Sequence, residues 1–511
     1  MTGTPKTVDA IRSKVKEGEV GLQGRGKRKS TLRSSGAVCS PVSTSSIAAN
    51  SIRARKSSLG HFKNLVDEIE SGVEKPFTKI IDLSVGDAHK VGLKPITFLR
   101  QVLALCAYPE LLKSGDFPED VKARVQKILK ACGKGIGSYT DPWGLKEVRE
   151  DVARYIAERD GYPSDYRDIG LTSGAAGAAR EVMALLMTGK DTVKRTGLMI
   201  PVPQFPMYSA TTSEFGGYTI PYYLEEGTNW SLDIMELERA IAEAKPHCIP
   251  RAIVVINPGN PTSSVLTKDE IKEIIKFAHR HRLFLMADEV YQHNVWADGA
   301  EFVSFKKTLM EMGPPYTQMQ LASFMSASKG FMGECGLRAG YFEIINIPPD
   351  VKAEITKSLF VKQCAPITGQ AVMDCIVNPP KPGDASYDQF IQEKAFVISD
   401  LKKKSKVVSD FLNSVEGITC PEISGSMYAF ARIHLSEKAL QAAEEAGLIP
   451  DDFYCISLLE QTGIFTVPGY CFRQKPGTFH FRMTILPQME DLVYALEKLK
   501  EFQTKFMAKY K

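Results

Sequence analysis

Lys329 stands in the stretch Ala322-Ser323-Phe324-Met325-Ser326-Ala327-Ser328-Lys329-Gly330, and Arg338 follows nine residues later. A lysine amine catalyses only where it is kept partly neutral or is used as an imine. Two hydroxyls and an arginine around one lysine suit pyridoxal phosphate: an imine partner for its aldehyde, donors for its phosphate and a counter-charge. On its own, Ser-x-Ser-Lys reads better as a solvated small-residue loop, so the weight falls on the rest of the chain.

Five other groups share that chemistry. Asp288-Glu289-Val290-Tyr291 follows an apolar run. An Asp there could cap a helix, but beside a pyridine ring it would keep the ring nitrogen protonated, with Tyr291 donating to the ring's phenolic oxygen. Asn257-Pro258-Gly259-Asn260-Pro261-Thr262 is a double Asn-Pro turn; apart from turn chemistry, one of its amides could bond the same oxygen. Leu171-Thr172-Ser173-Gly174-Ala175-Ala176-Gly177 puts small residues at a helix start, where backbone N–H groups can approach a phosphate. Phe205, core by default, is placed after a strand where it could stack on a ring. Arg482, in the alternating run Phe479-His480-Phe481-Arg482-Met483-Thr484, needs an anion if it points inward, and a substrate α-carboxylate would supply one.

These residues need a frame. Leu198-Met199-Ile200 ends at Pro201, Ala252-Ile253-Val254-Val255-Ile256 at Asn257, and Leu283-Phe284-Leu285-Met286-Ala287 at Asp288. A helical pattern from Glu270 to His281 separates the last two, and Met319 to Phe324 leads into Lys329. Short β-rich runs alternating with helices predict a mainly parallel sheet covered on both faces. In such sheets ligands bind beyond the strand C-termini, where Asn257, Asp288 and Lys329 all fall. After the break Pro379-Pro380-Lys381-Pro382-Gly383, a long polar helix from Tyr387 to Ser414 opens a smaller α+β domain.

Composition excludes several classes. The chain has 511 residues, 43% apolar and 24% charged, as in a globular protein of more than one domain. Ten dispersed cysteines show neither a disulfide framework nor zinc spacing, which points to a reducing compartment and no metal. No apolar run reaches membrane-spanning length. Residues 1–58 hold twelve Lys/Arg against three Asp/Glu and are rich in serine. That is a disordered extension or a transit peptide, a reading that Asp9, Glu17 and Glu19 oppose. A nucleic-acid patch is the weaker reading, and no nucleic-acid or membrane partner is expected. The compartment is the cytoplasm or the mitochondrial matrix.

With these residues assembled, the chain resembles the class I, fold-type-I pyridoxal-phosphate aminotransferases, and within them the alanine aminotransferases, over roughly residues 60–510. The resemblance is carried by Gly86-Asp87-Ala88, by Pro95 to Cys106, by Val255 to Thr262, by Met310-Glu311-Met312-Gly313-Pro314-Pro315-Tyr316 and by Phe481-Arg482-Met483-Thr484-Ile485-Leu486-Pro487. Most specific is Lys329-Gly330-Phe331-Met332-Gly333-Glu334-Cys335-Gly336.

The resemblance implies a three-layer αβα cofactor domain over 92–375 with a mainly parallel sheet, and a smaller α+β domain from 59–91 and 376–511. It implies that Lys329 carries the cofactor, Asp288 faces its ring nitrogen, Tyr291 and Asn260 its phenolic oxygen, and Phe205 its ring face. Ser326, Ser328, Arg338 and the backbone of Gly174, Ala175 and Ala176 hold the phosphate. Arg482, with Gly86 and Asn260, binds substrate, and Tyr139 reaches the partner subunit's phosphate in a homodimer. The implied reaction is transfer of an amino group between L-alanine and 2-oxoglutarate, giving pyruvate and L-glutamate by a ping-pong route. Alternatives are a glutamate:glyoxylate aminotransferase and a catalytically dead regulatory relative. Two departures stand out: Ser263 replaces the usual Gly after Asn-Pro-Thr, and Ser51-Ile52-Arg53-Ala54-Arg55 replaces the family's tyrosine-containing arm.

Overall fold

The computed structural model of the protein describes residues 60–133, 135–187 and 194–511. The basic extension (1–58) and its Arg53 and Arg55 lie outside them. At the centre is a seven-stranded sheet in the order Ile169–Thr172, Gly340–Ile345, Leu321–Ser326, Phe284–Asp288, Cys248–Ile256, Arg195–Val202, Tyr218–Tyr223. It is buried on both faces because its strands are apolar at successive positions. Met199, Ile253, Val255, Leu285, Ala287 and Leu321 pack into one core, while their alternating neighbours Leu198, Ile200, Ala252, Val254, Met286 and Phe324 pack into the other.

Only Gly340–Ile345 runs antiparallel to its neighbours, pairing Gly340 with Thr172 on one side and with Ser326 on the other. This reversal has a chemical consequence. The entrance of that strand, just after Arg338, lies at the same sheet edge as the exits of all the others. Thr172 before Gly174, Ile256 before Asn260, Asp288 itself and Ser326 before Lys329 therefore open on one rim. The sequence pattern did not separate this strand, or the edge strand Tyr218–Tyr223, from its surroundings.

The strand expected to stop at Pro201 continues to Val202. Pro201 has no N–H, and pairing with Cys248–Ile256 ends at Met199, while the ladder to Tyr218–Tyr223 runs on through Pro201. One side of the strand is therefore released before the loop that carries Gln204 and Phe205.

A second sheet is antiparallel, in the order Val467–Pro468, His480–Thr484, Tyr428–Ile433, Ile418–Thr419. The long helix Tyr387–Asn413 and the last helix, Met489–Lys509, share its core. A short parallel pairing of Ile81–Asp82 with Ile464–Phe465 brings the early chain to this region. Leu83 then donates to Phe465 O at 2.8 Å and accepts from Thr484 N at 2.9 Å, so residues 83–86 run beside Arg482. Among the described residues no helix is long and apolar enough to cross a membrane.

The helix Lys268–Arg280 follows the Asn260 turn and starts with a capping box, Thr267 and Glu270 each bonding the other's backbone N–H. Thr267→Ala removes one of these bonds, so it should lower stability by about 1 kcal/mol. Urea unfolding checks this, with an unchanged slope and an earlier midpoint.

Candidate active site

The rim gathers the amine, the carboxylate, the phenol and the guanidinium. Lys329 Nζ donates to Gly86 O at 2.8 Å and to Tyr428 Oη at 3.4 Å. Asn260 is buried and links two functional groups: its Nδ2 donates to Tyr291 Oη at 3.3 Å and its Oδ1 accepts from Arg482 Nη1 at 3.3 Å. Arg482 is buried too. Its Nη2 donates to Ser84 O at 2.6 Å, and its guanidinium carbon lies 4.2 Å from the ring centre of Tyr428 and 4.6 Å from that of Phe472. Backbone and ring faces thus aim this cation.

Asp288 ends the central strand and is buried. Tyr208, from the helix Pro206–Glu214 that begins just after Phe205, donates its hydroxyl to Asp288 Oδ2 at 2.7 Å. Oδ1 makes no hydrogen bond. Burial pushes the carboxyl up to about 6, against the opposing pull of the Tyr208 hydroxyl, of the Val290 backbone N–H and of the Lys329 charge. Burial raises Tyr291 well above an ordinary phenol, and its neighbour Tyr428 adds to the rise.

Arg338 and the helix Gly174–Leu186 form the other half of the rim. Arg338 donates to Ser173 O at 3.0 Å and Cys335 O at 2.9 Å, and its Nη1 lies 3.5 Å from Ser328 Oγ. Its own backbone is left-handed, with φ of 50°, a conformation that costs energy in a non-glycine residue. Ser173 makes no capping bond at the start of that helix, in whose first turn lie Gly174, Ala175 and Ala176. A Cβ on Gly174 would lie 2.5 Å from Arg338 Nη2, and one on Gly340 2.6 Å from the Gly174 carbonyl carbon. Glycine at both positions is what lets the strand, the helix start and the arginine converge. Ser326 is turned into its own loop, accepting from Ser328 N at 3.1 Å and donating to Ala339 O at 3.3 Å.

Not every candidate joins these contacts. Phe205 is half-buried and packs with Ala175 against the core on one sheet face. Tyr139 is 79% exposed. Asn257 Oδ1 accepts from Leu266 N at 2.9 Å, while its Nδ2 is buried without a hydrogen bond. Ser263, the departure from the usual Gly, takes the left-handed backbone with φ of 59°. Its hydroxyl donates to Tyr428 O at 2.6 Å and lies 2.7 Å from Ser426 Oγ, bonds a glycine could not make. The turn that carries Asn260 is thus pinned to the strand that carries Tyr428.

Sequence reasoning missed Ser84, Tyr208 and Tyr428. Tyr428 sits in an apolar pattern and Tyr208 opens a run of small polar residues, neither of which marks a functional hydroxyl, and only the fold brings them to Lys329 and Asp288.

Residues 101–499 match the model of the family Aminotransferase class I and II. The chain is 51% identical over 449 residues to alanine aminotransferase 2 of Xenopus laevis, covering 87% of this chain and 83% of that protein. It is 45% identical over 446 residues to glutamate–glyoxylate aminotransferase 1 of Arabidopsis thaliana, covering 86% and 92%. The crystal structure of an aminotransferase from Escherichia coli superposes with a TM-score of 0.71 at 21% identity, over 91% of this chain and 99% of that one. The chain belongs to the class I and II aminotransferase family, and its fold is that of the family's solved members.

Asp288 gives a test of the electrostatics. Its folded-state pKa is above the unfolded value, so its contribution to stability is full at acid pH and is lost as pH rises through about 6. In cofactor-free protein, Asp288→Asn should therefore gain up to about 3 kcal/mol near neutral pH and nothing at about pH 3. Urea unfolding at both pH values checks the sign.

Proposed function

We propose that this chain catalyses reversible transfer of an amino group between L-alanine and 2-oxoglutarate, giving pyruvate and L-glutamate, as a homodimer that holds pyridoxal phosphate at Lys329. One observation carries the reading: an amine, a buried carboxylate with an unbonded oxygen and a buried arginine meet at one rim of the sheet, in a chain about half identical to an alanine aminotransferase.

The residues fit the cofactor. Asp288 Oδ1, buried without a hydrogen bond, suits a protonated ring nitrogen. Asn260 and Tyr291 suit the phenolic oxygen. The open helix start, Ser328 and Arg338 suit a phosphate, with Ser326 holding the loop between them. Phe205 supplies the ring face, and the exposed Tyr139 reaches the partner subunit's phosphate. When bound, pyridoxal phosphate supplies the aldehyde that takes up the amino group and a ring that withdraws electrons from Cα.

The chain's own groups then have defined tasks. Arg482 takes the α-carboxylate bidentately, already oriented by Ser84 O and Asn260. Lys329 Nζ holds and moves the Cα proton, first as base and then as acid. Asp288 holds the charge of the ring nitrogen in place. In this reading residues 92–375 bind the cofactor, while 59–91 and 376–511 bring Gly86 and Arg482 over it.

Incubated with L-alanine alone, the holoenzyme should convert its cofactor absorbance to the amine form and release one pyruvate per site. An unchanged spectrum would sink the alanine assignment. The Arabidopsis relative favours glyoxylate as a second acceptor, and comparing pyruvate with glyoxylate as acceptors decides between them. Lys329→Ala should lose essentially all turnover. Arg482→Lys keeps the charge but loses the planar fork, so the KM for both alanine and glutamate should rise by about tenfold or more. Steady-state kinetics with each substrate checks this.

A further inference from the structure

The rim contains one group that the proposed function does not use. Tyr428 is buried at the start of the strand Tyr428–Ile433, and its hydroxyl lies within reach of two functional groups: 3.4 Å from Lys329 Nζ and 3.5 Å from Tyr291 Oη. The Arg482 guanidinium lies against its ring at 4.2 Å. The backbone around it is shaped to keep it there. A Cβ on Gly86 would collide with Tyr428 Oη and lie 2.9 Å from Lys329 Nζ, so glycine at position 86 is the condition for that hydroxyl to meet the amine. The Ser263 hydroxyl donates to Tyr428 O, fixing the strand end.

From this geometry we propose that Tyr428 is the proton partner of Lys329: its hydroxyl positions Nζ and exchanges a proton with it during turnover. The inference rests on the reading of Lys329 as the amine that carries the Cα proton. The step is an internal one. A Lys329 ammonium and a Tyr428 phenolate become an amine and a phenol: one Nζ–H bond breaks, one Oη–H bond forms and the net charge of the pair is unchanged. The neutral amine is then reached without sending a proton to solvent.

The surroundings support this direction. Burial alone would raise the Tyr428 phenol, but the charges of Lys329 and Arg482 and the hydrogen bonds with Tyr291 and Lys329 leave it below its ordinary value. Tyr291 moves the opposite way, so of the two touching phenols Tyr428 is the one that gives up its proton. The other titratable groups facing the pair are Asp288, whose charge acts on Tyr291, and Cys335, on which Lys329, Asp87, Arg338 and Glu334 all act.

Tyr428→Phe keeps the ring against Arg482 and removes only the hydroxyl. In single turnovers of the holoenzyme, the conversion rate should fall by about tenfold to hundredfold, with apparent amino-acid affinity within about twofold of wild type. The acid-side midpoint of the rate should move to higher pH. In the wild type the first proton lost by the pair can come from either group, and the variant lacks that second route. An unchanged profile, or a rate lowered equally at every pH together with weaker amino-acid binding, overturns the proposal, the latter marking a merely structural tyrosine. If the variant loads cofactor poorly, Gly86→Ala makes the same comparison by pushing the hydroxyl away from Nζ: the same shift supports the proposal and its absence overturns it. The measurement runs with whichever amino acid the wild-type enzyme accepts, so a wrong substrate assignment does not decide it.

Discussion

A carboxylate held out of water at the end of a central strand is the constraint on which the rest of this structure depends. Asp288 has one oxygen bonded by Tyr208 and the other left without a partner, and burial makes its charge costly in the chain alone. A protein keeps such a group only if the scaffold around it is rigid. Here the scaffold is a sheet packed on both faces, with apolar layers above and below the strand that carries it. The cost is local and electrostatic; the stabilisation that offsets it is distributed and apolar.

The rim is built from two sources. The seven-stranded sheet delivers Gly174, Asn260, Asp288, Lys329 and Arg338, the last only because one strand runs backwards. The antiparallel sheet delivers Arg482 and Tyr428, and the bond between Thr484 and Leu83 lays Ser84 and Gly86 alongside them. Where the two meet, small residues decide the outcome. Gly86 admits the Tyr428 hydroxyl, Gly174 admits Arg338, and Ser263 ties the Asn260 turn to the Tyr428 strand. The site is therefore a joint between two sheets, and its precision comes from the absence of side-chain bulk at the joint.

Membership of the class I and II aminotransferase family accounts for the frame. The frame does not by itself choose an amino acid or an acceptor, because one fold serves many substrates through its site residues. In this chain, the groups around Lys329 that differ in chemistry from plain cofactor binding are Tyr428, Cys335 and the Ser84–Gly86 backbone, which approach from the smaller sheet, from the loop after the lysine and from the early segment bonded beside that sheet.

The residue sequence alone determined that the strands leading to Pro201, Asn257, Asp288 and Lys329 are buried on both faces, because a continuous apolar run has no other place to go, and where the polar residues at their ends must lie. It also determined Lys329 and Asp288 as candidates, each a polar residue beyond an apolar run, and Arg482 as a charge inside an alternating one, while the choice of Asn260 rested on the family resemblance. It could not separate Tyr208 and Tyr428 from core aromatics, because a phenol reads as apolar until its hydroxyl has a partner. Nor could it show that Gly340–Ile345 runs antiparallel, that Ser326 turns into its own loop, or that Ser263 takes a left-handed backbone and stays bonded there. Each of these depends on a pairing of polar atoms that residue type and spacing do not specify, whether within a loop or between distant segments. Residue type and spacing carry the periodicity of burial, but the pairing of distant polar atoms is decided only when the two sheets close on each other.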